Sequence, residues 1–156
     1  MSDKEKKFSE NELKHLEFIQ NVITRMNTNS FHIKGMAIAV FTALVAIFIS
    51  TSNMLFIFIG VIPTLLFWGL DAYYLLLERR FRGVYNDVVG ITNFFVVKNF
   101  DMPLHNYTKK GVKDKEKGKT FSYLYVLFSK TIYTLYLSIV IVICLSFLLN
   151  CFSKTC

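Results

Sequence analysis

Charged side chains are missing from residues 35–50 and 131–152 of this 156-residue chain, and residues 54–77 hold only Asp71. Runs of that kind exclude an ordinary water-soluble domain. Each is long enough to cross, or nearly cross, a hydrocarbon layer about 30 Å thick at about 1.5 Å of rise per helical residue. Enzymatic signatures are missing too. No Ser- or Cys-centred nucleophile motif occurs. His15, His32 and His105 are scattered, without the four-residue spacing of helical metal ligands. These histidines are expected at surface or interfacial positions. No metal or cofactor is expected, and the chain is not read as an enzyme. What remains outside the apolar runs is too short for a separate large enzyme domain. A secretory signal is also missing: the first 32 residues are charged and polar, and the first apolar run leads at once into a second.

What is present sets an orientation. Six of the 18 Lys and Arg precede the first run: Lys4, Lys6, Lys7, Lys14, Arg25 and Lys34. Eleven lie in residues 78–130, none in 50–53, and Lys154 alone follows Asn150. By the positive-inside rule the N-terminus and the long 78–130 segment are cytoplasmic, and the short turn and the C-terminus face outward. The net charge of +7 is then a topology signal, and nucleic acid is not expected as a partner. The 16 Phe and 8 Tyr suit a lipid-embedded protein with interfacial anchors. The expected fold is an all-α integral membrane protein with three transmembrane helices, an N-terminal amphipathic helix and a cytosolic helical extension. It forms a single module. Residues 1–32 are a cytosolic amphipathic helix and 33–77 a transmembrane hairpin. Residues 78–130 are a cytosolic helix and lysine-rich linker, and 131–152 a third transmembrane helix.

Local patterns fill in this outline. Ser9 and Glu12 have capping-box spacing. Leu13, Leu16, Ile19, Ile23 and Met26 then form one apolar stripe. The mixed charge of that helix favours packing on a second cytosolic helix or a neighbouring subunit over lying on the membrane. Gly35, Ala39 and Ala43 stand in one row that lets helix backbones approach, within or between subunits. Residues 50–53 are a polar turn, and Pro63 should kink or end the following helix. That helix is expected to continue to about Lys98 on the stripe Val84, Val88, Ile91 and Phe95, with Gly83 and Gly90 arguing against an unbroken run. Residues 109–120 are the best candidate for disorder. Their Lys109, Lys110, Lys113, Lys115, Lys117 and Lys119 suit contact with anionic lipid or an anionic ligand. Gly118-Lys119-Thr120 echoes a phosphate-binding loop, but Lys113 stands where that loop needs glycine. A helix is expected from Thr120 to Asn150, with the hydroxyls of Thr131, Thr134 and Ser138 bonded to carbonyls one turn back. Cys144 is read as an inert apolar residue. Cys151 and Cys156 fall on the outer side, as free thiols or as a disulfide.

Asp71 is the one acid inside an apolar run, and such residues call for a named partner. Lys34 and Asp71 lie at similar distances before and after the middle of the turn. In an antiparallel hairpin they reach the same depth. An intramembrane Lys34–Asp71 pair is therefore expected, as a register clamp or as a gate or proton site.

The stretch HLEFIQNVITRMNTNSFHIK, residues 15–34, is followed by the short hairpin and by FWGLDAYYLLLERRFRGVYNDV. These phrases resemble a group of small bacterial membrane proteins. The architecture is similar to RipA-like octameric membrane proteins and to hairpin effector modules encoded beside nucleotide-signalling anti-phage genes. The likeness covers about the first 90 residues, and the third apolar run departs from the two-span pattern of those modules. The resemblance implies a self-assembling protein of the bacterial inner membrane. The expected function is a homo-oligomeric pore-forming or membrane-perturbing effector, controlled from the cytosolic side. The alternative is a non-conducting scaffold that recruits a partner through its cytosolic helices. Expected partners are membrane lipids and further copies of the chain, with an anionic small molecule or a cytosolic protein beside them.

Overall fold

The computed structural model describes residues 8–112 and 114–155, with side chains except at 115, 116 and 149–155. It is helical, with no strand among the described residues. The elements are α1 (Glu10–Thr51), α2 (Leu55–Val89), α3 (Lys115–Lys119), α4 (Tyr123–Leu127) and α5 (Lys130–Thr155). Among the described residues, three segments are long and apolar enough to cross a membrane: α1, α2 and Lys130–Leu148 of α5. The chain divides into two compact units. One takes the chain up to Thr28 together with Leu76–Ser122; the other takes Asn29–Leu75 and the chain from Tyr123 onward.

The first unit has its own core. Ile19, Val22 and Ile23 from α1 meet Phe81 and Val84 from α2, and Tyr107, Val112 and Phe121 from the segment that follows. The capping box starts α1: Ser9 N–H donates to Glu12 Oε2 at 2.7 Å, and Glu12 N–H donates to Ser9 Oγ at 3.3 Å. Of the expected stripe, Leu16, Ile19 and Ile23 are buried and Met26 packs at the core's edge, but Leu13 is exposed. His15 is fully buried, against the expectation of a surface position, and its ring lies 5.7 Å from that of Phe100.

Three further expectations for this region are corrected. First, α2 stops at Val89 rather than near Lys98. Gly90 takes a left-handed φ of 89°, and the Asn86 carbonyl accepts from the N–H groups of Gly90, Ile91 and Thr92. That is a C-terminal cap, which glycine adopts without a Cβ clash. Ile91 therefore leaves the apolar stripe and is exposed. Second, the described residues of 109–120 carry structure: α3 forms there, and Val112 and Gly118 are buried. Apolar anchors at Val112 and Phe121 hold both ends of the lysine-rich stretch, which its composition alone conceals. Third, the helix expected from Thr120 to Asn150 is broken into α4 and α5. The Ser129 carbonyl opens α5 by accepting from Ile132 N–H and Tyr133 N–H.

The second unit holds the apolar lengths of α1 and α2 with α4 and α5. The turn between α1 and α2 puts Ser52 in the left-handed region, with φ 53°, and Asn53 Oδ1 accepts from Leu55 N–H. Helix α2 runs on through Pro63 rather than ending there. Trp68 Nε1 donates to the Leu127 carbonyl at 3.0 Å, and its ring stacks on Tyr136 at 5.9 Å. Tyr123 Oη donates to the Gly69 carbonyl at 3.1 Å. These contacts tie α4 and α5 to α2. Thr134 and Ser138 donate to carbonyls about one turn back, at Lys130 and Leu135.

The row Gly35, Ala39 and Ala43 is exposed in the single copy, and a Cβ built on Gly35 would meet nothing within 4 Å. Ile33 and Ala37 are the buried positions of that part of α1. The row is therefore not a contact within the subunit. Cys144 is exposed. The expectations for Cys151 and Cys156, and for the side chains of Lys113 and Lys115, lie outside the described residues.

Candidate functional site

The helical repeat brings Ser30 and Lys34 to one face of α1, one turn apart. Asp71 meets them from α2. Lys34 Nζ donates to Asp71 Oδ1 at 2.6 Å and to Ser30 Oγ at 2.7 Å. Ser30 Oγ in turn donates to the same Asp71 Oδ1 at 2.5 Å. The three side chains close a triangle of charge-assisted hydrogen bonds. Its members differ in exposure: the Asp71 side chain is completely enclosed, whereas that of Lys34 keeps 20% of its surface. The carboxylate is sealed while the ammonium reaches the surface of the unit.

The other carboxylate oxygen is in a different state. Among the described residues, the buried Asp71 Oδ2 accepts no hydrogen bond, and the buried Tyr136 hydroxyl on α5 has no partner either. The two residues interact electrostatically. A buried polar atom left without a partner costs about 1–3 kcal/mol, and more when charged. The site thus combines a satisfied half, Oδ1 with two donors, and an unsatisfied half, Oδ2 with none among the described residues. Chemically it can fix the register of two helices, and it can hold or exchange a proton at a sealed carboxylate. The depth argument from sequence found Lys34 and Asp71. It missed Ser30, whose signal was its place one turn before Lys34. It also missed Tyr136, for which the sequence carries no local signal.

A second polar centre lies in the first unit, and the sequence reading did not identify it. Asp87 stands in the last turn of α2. Its Oδ1 accepts from Thr92 Oγ1 at 2.5 Å and from Phe94 N–H at 3.1 Å. Its Oδ2 accepts from Phe95 N–H at 3.1 Å and from Tyr107 Oη at 2.6 Å. One carboxylate thereby organises the loop after α2. Burial pushes the Tyr107 phenol above the ordinary tyrosine range, and the hydrogen bond and charge of Asp87 push it the same way.

The remaining sequence candidates do not gather into a site. Lys109, Lys110, Lys117 and Lys119 are all exposed, and Lys117 Nζ lies 3.9 Å from Asp114 Oδ2. Among the described residues no group of three His, Cys, Asp or Glu side chains could hold a metal ion. No family model, curated protein or solved structure matches this chain.

Proposed function

We propose that the chain is a non-enzymatic, self-assembling protein of the bacterial inner membrane, and that its assembly perturbs or perforates the membrane under control of a cytosolic part. Residues up to about 32 and 78–130 form that cytosolic part, and the C-terminus lies outside. One observation carries the reading. The row Gly35, Ala39 and Ala43 is unused within the subunit, on a helix whose larger apolar neighbours Met36 and Val40 are also exposed. Lipid can cover large apolar side chains. A row of small ones gains more from another helix backbone, because close approach recovers dispersion contacts that lipid supplies less well. A single subunit has one acid in its spans, and that acid is neutralised by Lys34, so a polar path would require several copies.

A second reading is a membrane scaffold that recruits a protein. It is favoured by the exposed Ile91, Val96 and Phe100 on the unit that carries the charge, with Val96 97% exposed. Reconstitution into liposomes separates the two. The first reading expects flux of a small ion that rises with protein per vesicle and falls in Ala39→Leu, with a smaller particle mass in mild detergent. No flux at any loading, with an intact assembly, would leave the scaffold. A wild-type mass equal to one chain in both detergent and nanodiscs would sink the first reading outright.

A further inference from the structure

The first unit holds an open cleft of about 310 Å³, at the lower end of the size range of small-molecule sites. Arg79, Arg82 and Lys117 line it, and no carboxylate does among the described residues. Arg79, Arg82 and Asn86 fall at i, i+3 and i+7 of α2, so they share one face of the helix. Gly83 lies among them and adds no side chain. It cannot carry one, because a Cβ there would come within 2.7 Å of the Tyr107 ring. Tyr107 is fixed in turn by its bond to Asp87. The packing of Tyr107 therefore holds this point of the cleft wall to glycine.

The walls are also held in place. Phe121 is a core residue, and Phe94 is pinned through its backbone N–H by Asp87. Arg79 Nη1 donates to the Thr120 carbonyl at 3.5 Å, and the other two cations keep hydrogen-bonding capacity. Arg82 pairs with Glu78 through Nε alone, at 2.8 Å. Its two terminal nitrogens have no protein partner among the described residues. Lys117 is 3.9 Å from Asp114, and its ammonium stands 5.7 Å from the centre of the Phe94 ring. Guanidinium groups match phosphate oxygens in geometry as well as charge, and an ammonium adds a point charge beside them.

We propose that this cleft binds a phosphate ester, with the phosphate held by Arg79, Arg82 and Lys117 and the organic part laid against Phe94 and Phe121. The ester is either a soluble nucleotide or the headgroup of an anionic lipid; both present the same chemistry to the cations. This adds a ligand class to the cytosolic control proposed above, yet binding here does not require that the protein conduct.

The test is calorimetric titration of the full chain in an uncharged detergent, with ADP, pyrophosphate, adenosine and short-chain phosphatidylglycerol as separate probes. Saturable binding of ADP or of the lipid, with none of adenosine, is the expected result. Which of the two saturates identifies the source of the phosphate. Arg82→Gln and Lys117→Gln change exposed side chains, so the fold should hold; Lys117→Gln should leave the melting temperature unmoved, while Arg82→Gln removes the charge paired with Glu78 and should lower it modestly. Each should weaken binding about tenfold. Phe94→Ala should weaken the organic ester more than pyrophosphate. Lys119→Gln lies outside the cleft and should bind as the parent does. Saturation by neither ester overturns the proposal. So does an Arg82→Gln variant of unchanged affinity, or a Lys119→Gln variant as weak as Lys117→Gln. A protein that binds but passes no ions loses the pore reading and keeps this one; flux without binding does the reverse.

Discussion

Tyr107 gives its phenolic hydrogen to Asp87 Oδ2 at 2.6 Å, and through that bond a core aromatic and a helix end position each other. Tyr107 fills the space left by Gly83, while Asp87 gathers the loop after α2. Tyr107→Phe keeps the ring and removes one donor, so it should cost about 1–2 kcal/mol. Asp87→Ala strands several donors and should cost more. Thermal unfolding in detergent orders the two. Equal losses would mean that the loop does not depend on the carboxylate.

The same pair sets an alkaline limit. A phenol whose pKa is raised by folding binds its proton more tightly in the native state. Its stabilisation is complete below the ordinary tyrosine value of 10.0 and is lost as pH rises above it. Unfolding temperature should therefore fall above about pH 10, less steeply in Tyr107→Phe. Parallel alkaline limbs in parent and variant would assign the fall to other groups.

Gly90 offers a backbone test. Its φ of 89° lies where a Cβ clashes with the chain's own carbonyl. Gly90→Ala should destabilise by about 1 kcal/mol, and Gly90→Asn by less, since asparagine tolerates left-handed geometry. An alanine variant as stable as the parent would show that the helix end relaxes at no cost.

The Lys34–Asp71 pair should show non-additivity. Removing one partner leaves a buried charge and should cost about 3–5 kcal/mol. Asp71→Asn and Lys34→Met should each lower the melting temperature, and the double variant should recover part of the loss. Strictly additive losses would show that the two charges do not stabilise one another. Should Asp71→Asn leave stability intact yet abolish ion flux, the proton or gate role would replace the clamp.

Orientation is open to thiol chemistry. With the N-terminus inside and three spans, Cys156 faces outward. A membrane-impermeant maleimide should then label it in intact spheroplasts after mild reduction, in a variant with Cys144 and Cys151 changed to Ser. Labelling that appears only after lysis would reverse the assignment.

What the sequence made legible follows from the range of the forces involved. Long uncharged runs mark α1, α2 and α5 because lipid imposes a solvent requirement on every residue of a span. The capping box was legible because its two residues act three positions apart. The depth of Lys34 and Asp71 was legible because the short turn of the hairpin fixes their register. Asp87 was hidden, since its donors lie up to 20 residues away and the stripe through Ile91 and Phe95 suggested a continuing helix instead of the loop that carries most of them. The order in residues 109–120 was hidden for a similar reason: two apolar anchors, Val112 and Phe121, outweigh a polar composition once a core exists to receive them. His15 carries no sequence sign of burial, because the ring beside it, Phe100, comes from a distant part of the chain.

The spacing of the ion pair also orders the birth of the protein. Lys34 precedes Asp71 by 37 residues, so the ammonium is made before the carboxylate. An acid entering hydrocarbon alone is strongly disfavoured. Here the counter-charge is already waiting on the preceding helix when the acid arrives. The first two helices are thus suited to enter the bilayer together, as a neutralised hairpin, with the third following once Trp68 and Gly69 are in place to receive it.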